Sequence, residues 1–367
     1  MSQQQRRCVH VVGARPQYLQ VPLLRRELQA AGVSHHWVHT GQHYDRALAD
    51  DLIDELELGT PFANLGVGSG RHGAMTGRTM ERLEDCLIGM RPDFVIADGD
   101  TNSTLATALV ATKLHIPFVH LESGLRDWDR RRPEELNRVL ADHAADVCLA
   151  PIPRALANLS REGLSDRSAL VGDFLLDAFV EFRQRSMAAA DVPDPGVQPP
   201  FNILTLHRPE NTDVHECERF DQVLSFVNSL DVPAIYPVHP RVRPALNELH
   251  ARGQRYPQVQ FIEPVTYLQM LRLLGQAEAV FTDSGGLSRE AVWSGAKCMM
   301  FFDFDSWHDM LDLGWAVNAP RHGAPLDEIY RGLRRPPGNE AIEYFGGGRA
   351  SANAVAELRK RGLVDAV

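Results

Sequence analysis

Cysteine is scarce in this chain and nowhere paired. The five present (Cys8, Cys86, Cys148, Cys217 and Cys298) are scattered and odd in number. Their spacing excludes a disulfide framework or a zinc knuckle and fits a reducing, cytoplasmic compartment, each thiol acting as a small core hydrophobe. Also missing is any apolar run near the roughly 20 residues that a membrane span needs, so no membrane partner is expected. The opening MSQQQRRCVHVVGARP lacks the long apolar segment of a signal peptide. Positive charge is in short supply: 38 Lys and Arg stand against 48 Asp and Glu, a formal net charge of -10. That balance argues against broad binding to nucleic acid, although arginines near the motifs can still build a local positive pocket. The fifteen histidines show no HExxH-like pairing, which predicts no metal site.

What is there is the composition of an ordinary globular protein, 44% hydrophobic and 23% charged. A chain of 367 residues is too long for one compact core, so two domains are expected. Short apolar runs at Cys8–Val12, His36–His39, Phe94–Ala97, Phe118–Leu121 and Val147–Ala150 alternate with helical patterns, the first of which runs through Leu28. A Pro-rich loop, VPDPGVQPP, then interrupts the chain between Asp191 and Pro200. The alternation restarts at Phe201–Leu206, Ala234–Val238, Val259–Ile262, Ala279–Thr282 and Lys297–Phe302. Strands alternating with helices predict an α/β protein of two doubly wound parallel sheets. The expected domains are 1–171 with 349–367, and 172–348, the helix Ser351–Arg361 returning to the first domain after the break at Gly346–Gly348.

In an open parallel sheet, ligands bind at the carboxyl ends of the strands. Asp100 and Glu122 follow two apolar runs directly, and Glu134 lies in the segment just beyond. Carboxylates at such places cost the fold free energy unless they have partners, so three of them, with Arg126 and Arg138 nearby, suggest proton transfer on an anionic substrate. Of Asp98 and Asp100, two residues apart, the second is favoured because the Gly99 before it permits the tight exit. Arg130, Arg131 and Arg132 read as a solvated basic face.

Other strand ends carry weaker signals. Gly13-Ala14-Arg15-Pro16 reads equally as an anion site at a helix N-terminus or as a plain turn with an exposed arginine, and it is neither GxGxxG nor GxxxxGK[ST]. Thr282-Asp283-Ser284-Gly285-Gly286 is more specific: Gly285 and Gly286 let a diphosphate approach the backbone, and Ser284 adds a hydroxyl donor. Glu290, one turn into the following helix, either accepts from ribose hydroxyls or offsets the helix dipole. His207 and Arg208 end the run NILTL, where an imidazole can titrate and an arginine can pair with phosphate. His239 and His43 occupy similar positions with less support.

Taken together and in order, GARPQ, TGQH, GDTNST, HLESGLR, RPEELNR, HRPEN, YPVHP and TDSGGLSRE resemble the motifs of the non-hydrolysing UDP-N-acetylglucosamine 2-epimerases, from about Val11 to Met300. The resemblance implies a GT-B-like fold of two Rossmann-like domains with the active site in the cleft between them. It also implies no cofactor, a UDP-sugar substrate, a homodimer, and a place in cell-surface polysaccharide or antibiotic synthesis. The family's catalytic acids fall on Asp100, Glu122 and Glu134, and its catalytic histidine on His207. Arg15 falls on the arginine of the family's G-T-R-P-E signature, Arg138 on that of its E-E-x-N-R segment, Ser284, Gly285 and Gly286 on the diphosphate loop, and Glu290 on the uridine ribose contact. Arg208 and His239 join the substrate-binding set.

The family chemistry eliminates UDP in an anti sense to give 2-acetamidoglucal, then re-adds UDP with the C2 proton returned to the opposite face. Two acid/base groups are required, and the sequence does not say which acid removes the proton. Arg15, Arg208 and the Ser284–Gly286 loop could meet the leaving-group charge, and closure between the domains is expected to exclude water. Hydrolytic release of N-acetylmannosamine, action on a modified UDP-HexNAc and GT-B glycosyl transfer stay open as alternatives. The chain departs from the family at Gln17 and Gln20, where glutamate and lysine are usual, and in FFDFDSWHDMLDLGWAV, which lacks the T-E-R-P-E-like run. Gln42 and His43 fall in the allosteric loop of bacterial relatives, where Asp45 is unusual, so substrate activation is expected to be absent or altered.

Overall fold

The computed structural model describes residues 5–41, 52–188, 198–214, 217–302 and 307–365, without the side chains of Arg15, Arg321 and His322. Gln42, His43, Asp45 and most of the Pro-rich loop lie outside the described residues. The chain divides into two compact units, Met1–Ala178 with Glu343–Val367, and Phe179–Ile342. These divisions fall inside the helices Phe174–Ala188 and Gly338–Tyr344 rather than at 171/172 and 348/349.

The first unit is built on seven parallel strands: β1 (Arg7–Val12), β2 (Ser34–His39), β3 (Ala63–Asn64), β4 (Phe94–Asp98), β5 (Phe118–Leu121), β6 (Val147–Ala150) and β7 (Ser168–Leu170). Their spatial order is β3-β2-β1-β4-β5-β6-β7. Strand β4 is buried along its whole length, as expected of a parallel strand covered on both faces. Cys8 pairs with Phe94, and Ile96 with Val119, so these side chains share one face. On it pack Leu24 and Leu28 of one helix and Ala354 and Leu358 of the C-terminal helix Ala350–Lys360. Asp177 secures that last helix by accepting from the backbone N–H groups of Ala350 and Ser351 at 2.8 and 2.7 Å. The helix expected after β1 is split into Arg15–Tyr18 and Val21–Ala30. Pro22 explains the break, because it cannot donate to the carbonyl four residues back.

The second unit holds six parallel strands, β8 (Phe201–Thr205), β9 (Ala234–Pro237), β10 (Val259–Ile262), β11 (Ala277–Thr282), β12 (Lys297–Met300) and β13 (Val317–Asn318). They are ordered β10-β9-β8-β11-β12-β13 around a core that includes Leu204, Tyr236, Phe281 and Met299. In each sheet the winding reverses once, between β1 and β4 in the first and between β8 and β11 in the second. Such switch points leave a crevice outside the strand ends. No helix among the described residues is long and apolar enough to cross a membrane. Four of the five cysteines are buried, and burial pushes the Cys148 thiol up to about 12.

Candidate active site

At the switch point of the first unit, the turn after β1 meets the turn after β4 through Gln17. Its Oε1 accepts from the N–H groups of Gly13 and Ala14 at 2.6 and 2.9 Å, and its Nε2 donates to the Asp98 carbonyl at 2.7 Å. A glutamate could not make that last bond, which gives this chain's departure at Gln17 a structural use. Arg15 opens the short helix at this turn.

Asp98 and Asp100 have separate fates. Asp98 is buried on the sheet with His10 Nε2 at 3.5 Å. Gly99 then turns the chain with φ 68°, a left-handed conformation suited to glycine, and Asp100 emerges. The helix Pro133–Ala144 holds Asp100 twice, Asn137 Nδ2 donating to its carbonyl at 2.8 Å and Arg138 pairing with its carboxylate. Arg138 also donates to Glu135 at 2.9 Å and lies 3.6 Å from Asp127, so acids surround it on several sides. Glu134 occupies the first turn of the same helix, where the dipole favours a carboxylate, and it lies one turn before Arg138.

Glu122 has a left-handed backbone, φ 59°, although it is not a glycine. Such a conformation persists only where neighbours over-determine it. A Cβ added at Gly99 would come within 3.3 Å of Glu122 Oε2, so the two turns meet there. A buried network supports both. His120 bonds Asp142 through Nδ1 at 2.7 Å and the Gly99 carbonyl through Nε2 at 2.9 Å. Both partners are acceptors, so both ring nitrogens donate and the ring is an imidazolium. Burial opposes that charge, but the hydrogen bond and charge of Asp142, with the Gly99 carbonyl, raise the His120 pKa above its ordinary value. For Asp142, burial pushes up and His120 and Arg126 pull down more strongly, a net lowering. Asp142 also accepts from the Gly124 N–H at 3.0 Å, and Arg126 pairs with it at 2.7 Å while reaching Glu162. Arg126, read from sequence as a site cation, is therefore fully buried in this support.

The second unit's switch point is organised by Asp283. Strand β11 pairs with β8 so that Thr282 faces Thr205, which sets Asp283 beside the turn that carries His207. The fully buried Asp283 carboxylate accepts from His207 Nδ1 at 2.9 Å, the Arg208 N–H at 2.9 Å and Asn211 Nδ2 at 2.9 Å. It also accepts from the His207 N–H at 3.0 Å. Burial raises its pKa, but the His207 hydrogen bond and charge, the Arg208 N–H and Asn211 hold it below the usual range. His207 keeps 38% of its side chain exposed, and Nδ1 is the ring nitrogen that Asp283 holds. The His239 ring lies 6.0 Å away, centroid to centroid, and its Nδ1 accepts from the Arg241 N–H at 3.2 Å. Arg208 donates through Nε to the Asp283 carbonyl at 2.6 Å, and its guanidinium stands 5.7 Å over the Phe302 ring.

Ser284 caps the helix Gly285–Ser294, its hydroxyl accepting from the Leu287 N–H at 3.3 Å. Its O–H is then available as a donor beside the amides of Gly285 and Gly286, and a Cβ added at Gly285 would meet no protein atom. Glu290 is buried and accepts from the Tyr267 hydroxyl at 2.8 Å. Asp283, Tyr267, His120, Asp142 and Glu135 are the supporting residues that sequence reasoning missed. Only Asp283 carried a local signal, standing directly before the Ser284 turn.

The sequence model of the family described as UDP-N-acetylglucosamine 2-epimerase matches residues 26–359. A UDP-2,3-diacetamido-2,3-dideoxy-D-glucuronate 2-epimerase of Pseudomonas aeruginosa is 35% identical over 95% of this chain and 98% of its own. A UDP-N-acetylglucosamine 2-epimerase of Methanocaldococcus jannaschii is 34% identical over 83% of this chain and 86% of its own. The crystal structure of Methanocaldococcus jannaschii UDP-GlcNAc 2-epimerase in complex with UDP-GlcNAc and UDP superimposes with a TM-score of 0.83 at 31% identity, covering 96% of this chain and 99% of that one. The expected GT-B-like class of two parallel α/β units is the fold of these neighbours. The chain belongs to the UDP-N-acetylglucosamine 2-epimerase family.

Proposed function

We propose that this protein is a non-hydrolysing epimerase that interconverts UDP-GlcNAc and UDP-ManNAc, acting in the cytoplasm as a homodimer and without a cofactor. The supporting observation is a division of labour between two strand-end sites. The first unit offers Asp100, Glu122 and Glu134 for proton transfer, and the second offers His207, braced by Asp283, beside the anion-binding turn Ser284–Gly286. Removal of the C2 proton with cleavage of the C1–O bond releases UDP and leaves 2-acetamidoglucal. Re-addition forms the C1–O bond again and returns a proton to the opposite face of C2, which requires a second acid/base group. Arg15, Arg138, Arg208, His239 and Glu290 complete the substrate-binding set, with the Ser284 hydroxyl and the turn amides meeting the charge on UDP.

Incubation with UDP-GlcNAc in D2O, followed by NMR, tests the reading. UDP-ManNAc carrying deuterium at C2 supports it, and free ManNAc with UDP overturns it in favour of hydrolysis. Glu122→Ala and His207→Ala should abolish turnover while sparing UDP binding, and unchanged turnover in both would refute the site. The match to the Pseudomonas aeruginosa protein, whose name specifies a diacetamido uronate, favours a modified UDP-HexNAc as the second reading. Conversion of such a sugar where UDP-GlcNAc stays unchanged would select it.

A further inference from the structure

Trp128 has a left-handed backbone, φ 64°, which a bulky side chain enters only at a cost. Its residue is 60% exposed, in the loop between the Glu122 turn and the helix that carries Glu134 and Arg138. Among the described residues its indole has no ring partner and no hydrogen bond, so the strain is not offset by packing. The backbone beneath it is nevertheless fastened. The Glu135 carboxylate accepts from the N–H groups of Asp127 and Trp128, both at 3.1 Å. The same carboxylate accepts from Arg138 Nη1 at 2.9 Å, and Arg138 also pairs with Asp100. One carboxylate thus couples the strained residue to the support of a candidate acid.

We propose that Trp128 is a substrate-contacting, specificity-determining residue whose indole face stacks on the C–H face of the pyranose of the UDP-sugar. This rests on the function proposed above. The Trp128 backbone is tied through Glu135 and Arg138 to Asp100, and its loop runs between Glu122 and Glu134. That puts the loop with the acids proposed to act at C1 and C2 of the hexose rather than with the turn proposed for UDP. The electron-rich indole face matches the polarised C–H groups of a pyranose, and its rigidity costs little entropy on binding. Holding the ring ready in a strained backbone spares the substrate part of the ordering cost.

The other four tryptophans (Trp37, Trp293, Trp307 and Trp315) are buried, so acrylamide quenching of tryptophan fluorescence selectively reads Trp128. UDP-GlcNAc should shield this fluorescence and UDP alone should not. Trp128→Ala should raise KM about tenfold, or about 1.4 kcal/mol, with the UDP dissociation constant within twofold of the parent. Trp128→Phe should recover most of the loss. Trp128→Gly should match the alanine variant in KM yet melt no lower than the parent, because glycine accepts the left-handed backbone. Equal shielding by UDP, or a KM within twofold of the parent in Trp128→Ala, would overturn the proposal. A changed oligomeric state in that variant with KM unaltered would overturn it too, assigning the indole to a subunit contact. Turnover of UDP-GlcNAc without shielding sinks the indole assignment and leaves the function standing. Shielding without turnover does the reverse, and neither result together overturns both.

Discussion

Replacing Asp283 with Asn tests the second unit's site most directly, because the two side chains have nearly the same shape. The carboxylate serves four donors: His207 Nδ1, the N–H groups of His207 and Arg208, and Asn211 Nδ2. An amide has only one oxygen, and its NH2 must face at least one of those donors in a buried site. Unsatisfied buried donors cost about 1–3 kcal/mol each, so a stability loss of about 2–4 kcal/mol is expected in urea unfolding. The catalytic loss has a different origin. An amide N–H set against Nδ1 forces that nitrogen to accept, which puts the ring proton on Nε2 and removes the base. General acid/base catalysis is worth roughly 10²–10⁴-fold, and kcat should fall by that factor with UDP affinity changed much less. Because Asp283 acts through His207, the double variant D283N/H207Q should be no slower than H207Q alone. A folded D283N enzyme with kcat within threefold of the parent, or losses that multiply in the double variant, would refute the arrangement. Asp283 titrates below the usual range, so its contribution to stability is present above about pH 4 and lost as pH falls through its folded pKa. The acid limb of unfolding should therefore be flatter in D283N.

His120, with its raised pKa, stabilises the first unit fully below pH about 6.5 and loses that contribution as pH rises through its folded value. The difference in urea midpoint between the parent and His120→Gln should thus be larger at pH 6 than at pH 9, and a constant difference would show a neutral ring. Gly99→Ala places a Cβ at φ 68° and 3.3 Å from Glu122 Oε2. Such a conformation costs about 1–2 kcal/mol, so Tm should drop and kcat should fall more than tenfold as Asp100 and Glu122 are pushed apart; an unchanged kcat would separate the two acids. Tyr267→Phe removes the hydroxyl that donates to Glu290 at 2.8 Å. Loss of about 1 kcal/mol of orientation should weaken UDP binding roughly fivefold by calorimetry with kcat largely kept, whereas unaltered binding would detach Glu290 from the nucleotide.

The strands that sequence reasoning located lie inside the parallel sheets, where both faces are covered and the apolar run is continuous, apart from Val259–Ile262, which forms an edge of the second sheet. Phe118–Leu121, Val147–Ala150 and Val259–Ile262 begin and end where the hydrophobic pattern places them. The short strands β3, β7 and β13 left no such run, since two or three residues at a sheet's end can be mixed in polarity. For the site, legibility follows the range of the interaction. Gly99 announces the exit of Asp100 because a left-handed turn has a local residue requirement. The pairing of His207 with Asp283 spans 76 residues and depends on the register of β8 against β11, which no local pattern encodes. His120 and Asp142, 22 residues apart, likewise meet only in the fold. Glu135 lies seven residues beyond Trp128 and is local, but its contact follows no residue pattern. Gln17 read as a deviation from the family because motif comparison scores identity at a position, whereas the fold uses it as an amide with one acceptor and one donor side. Motifs thus exposed the candidate groups at the strand ends, while the residues that hold and orient them stayed hidden. Chemistry constrains the first class to a few residue types at strand ends; geometry constrains the second only through strand order, which is decided by the whole sheet.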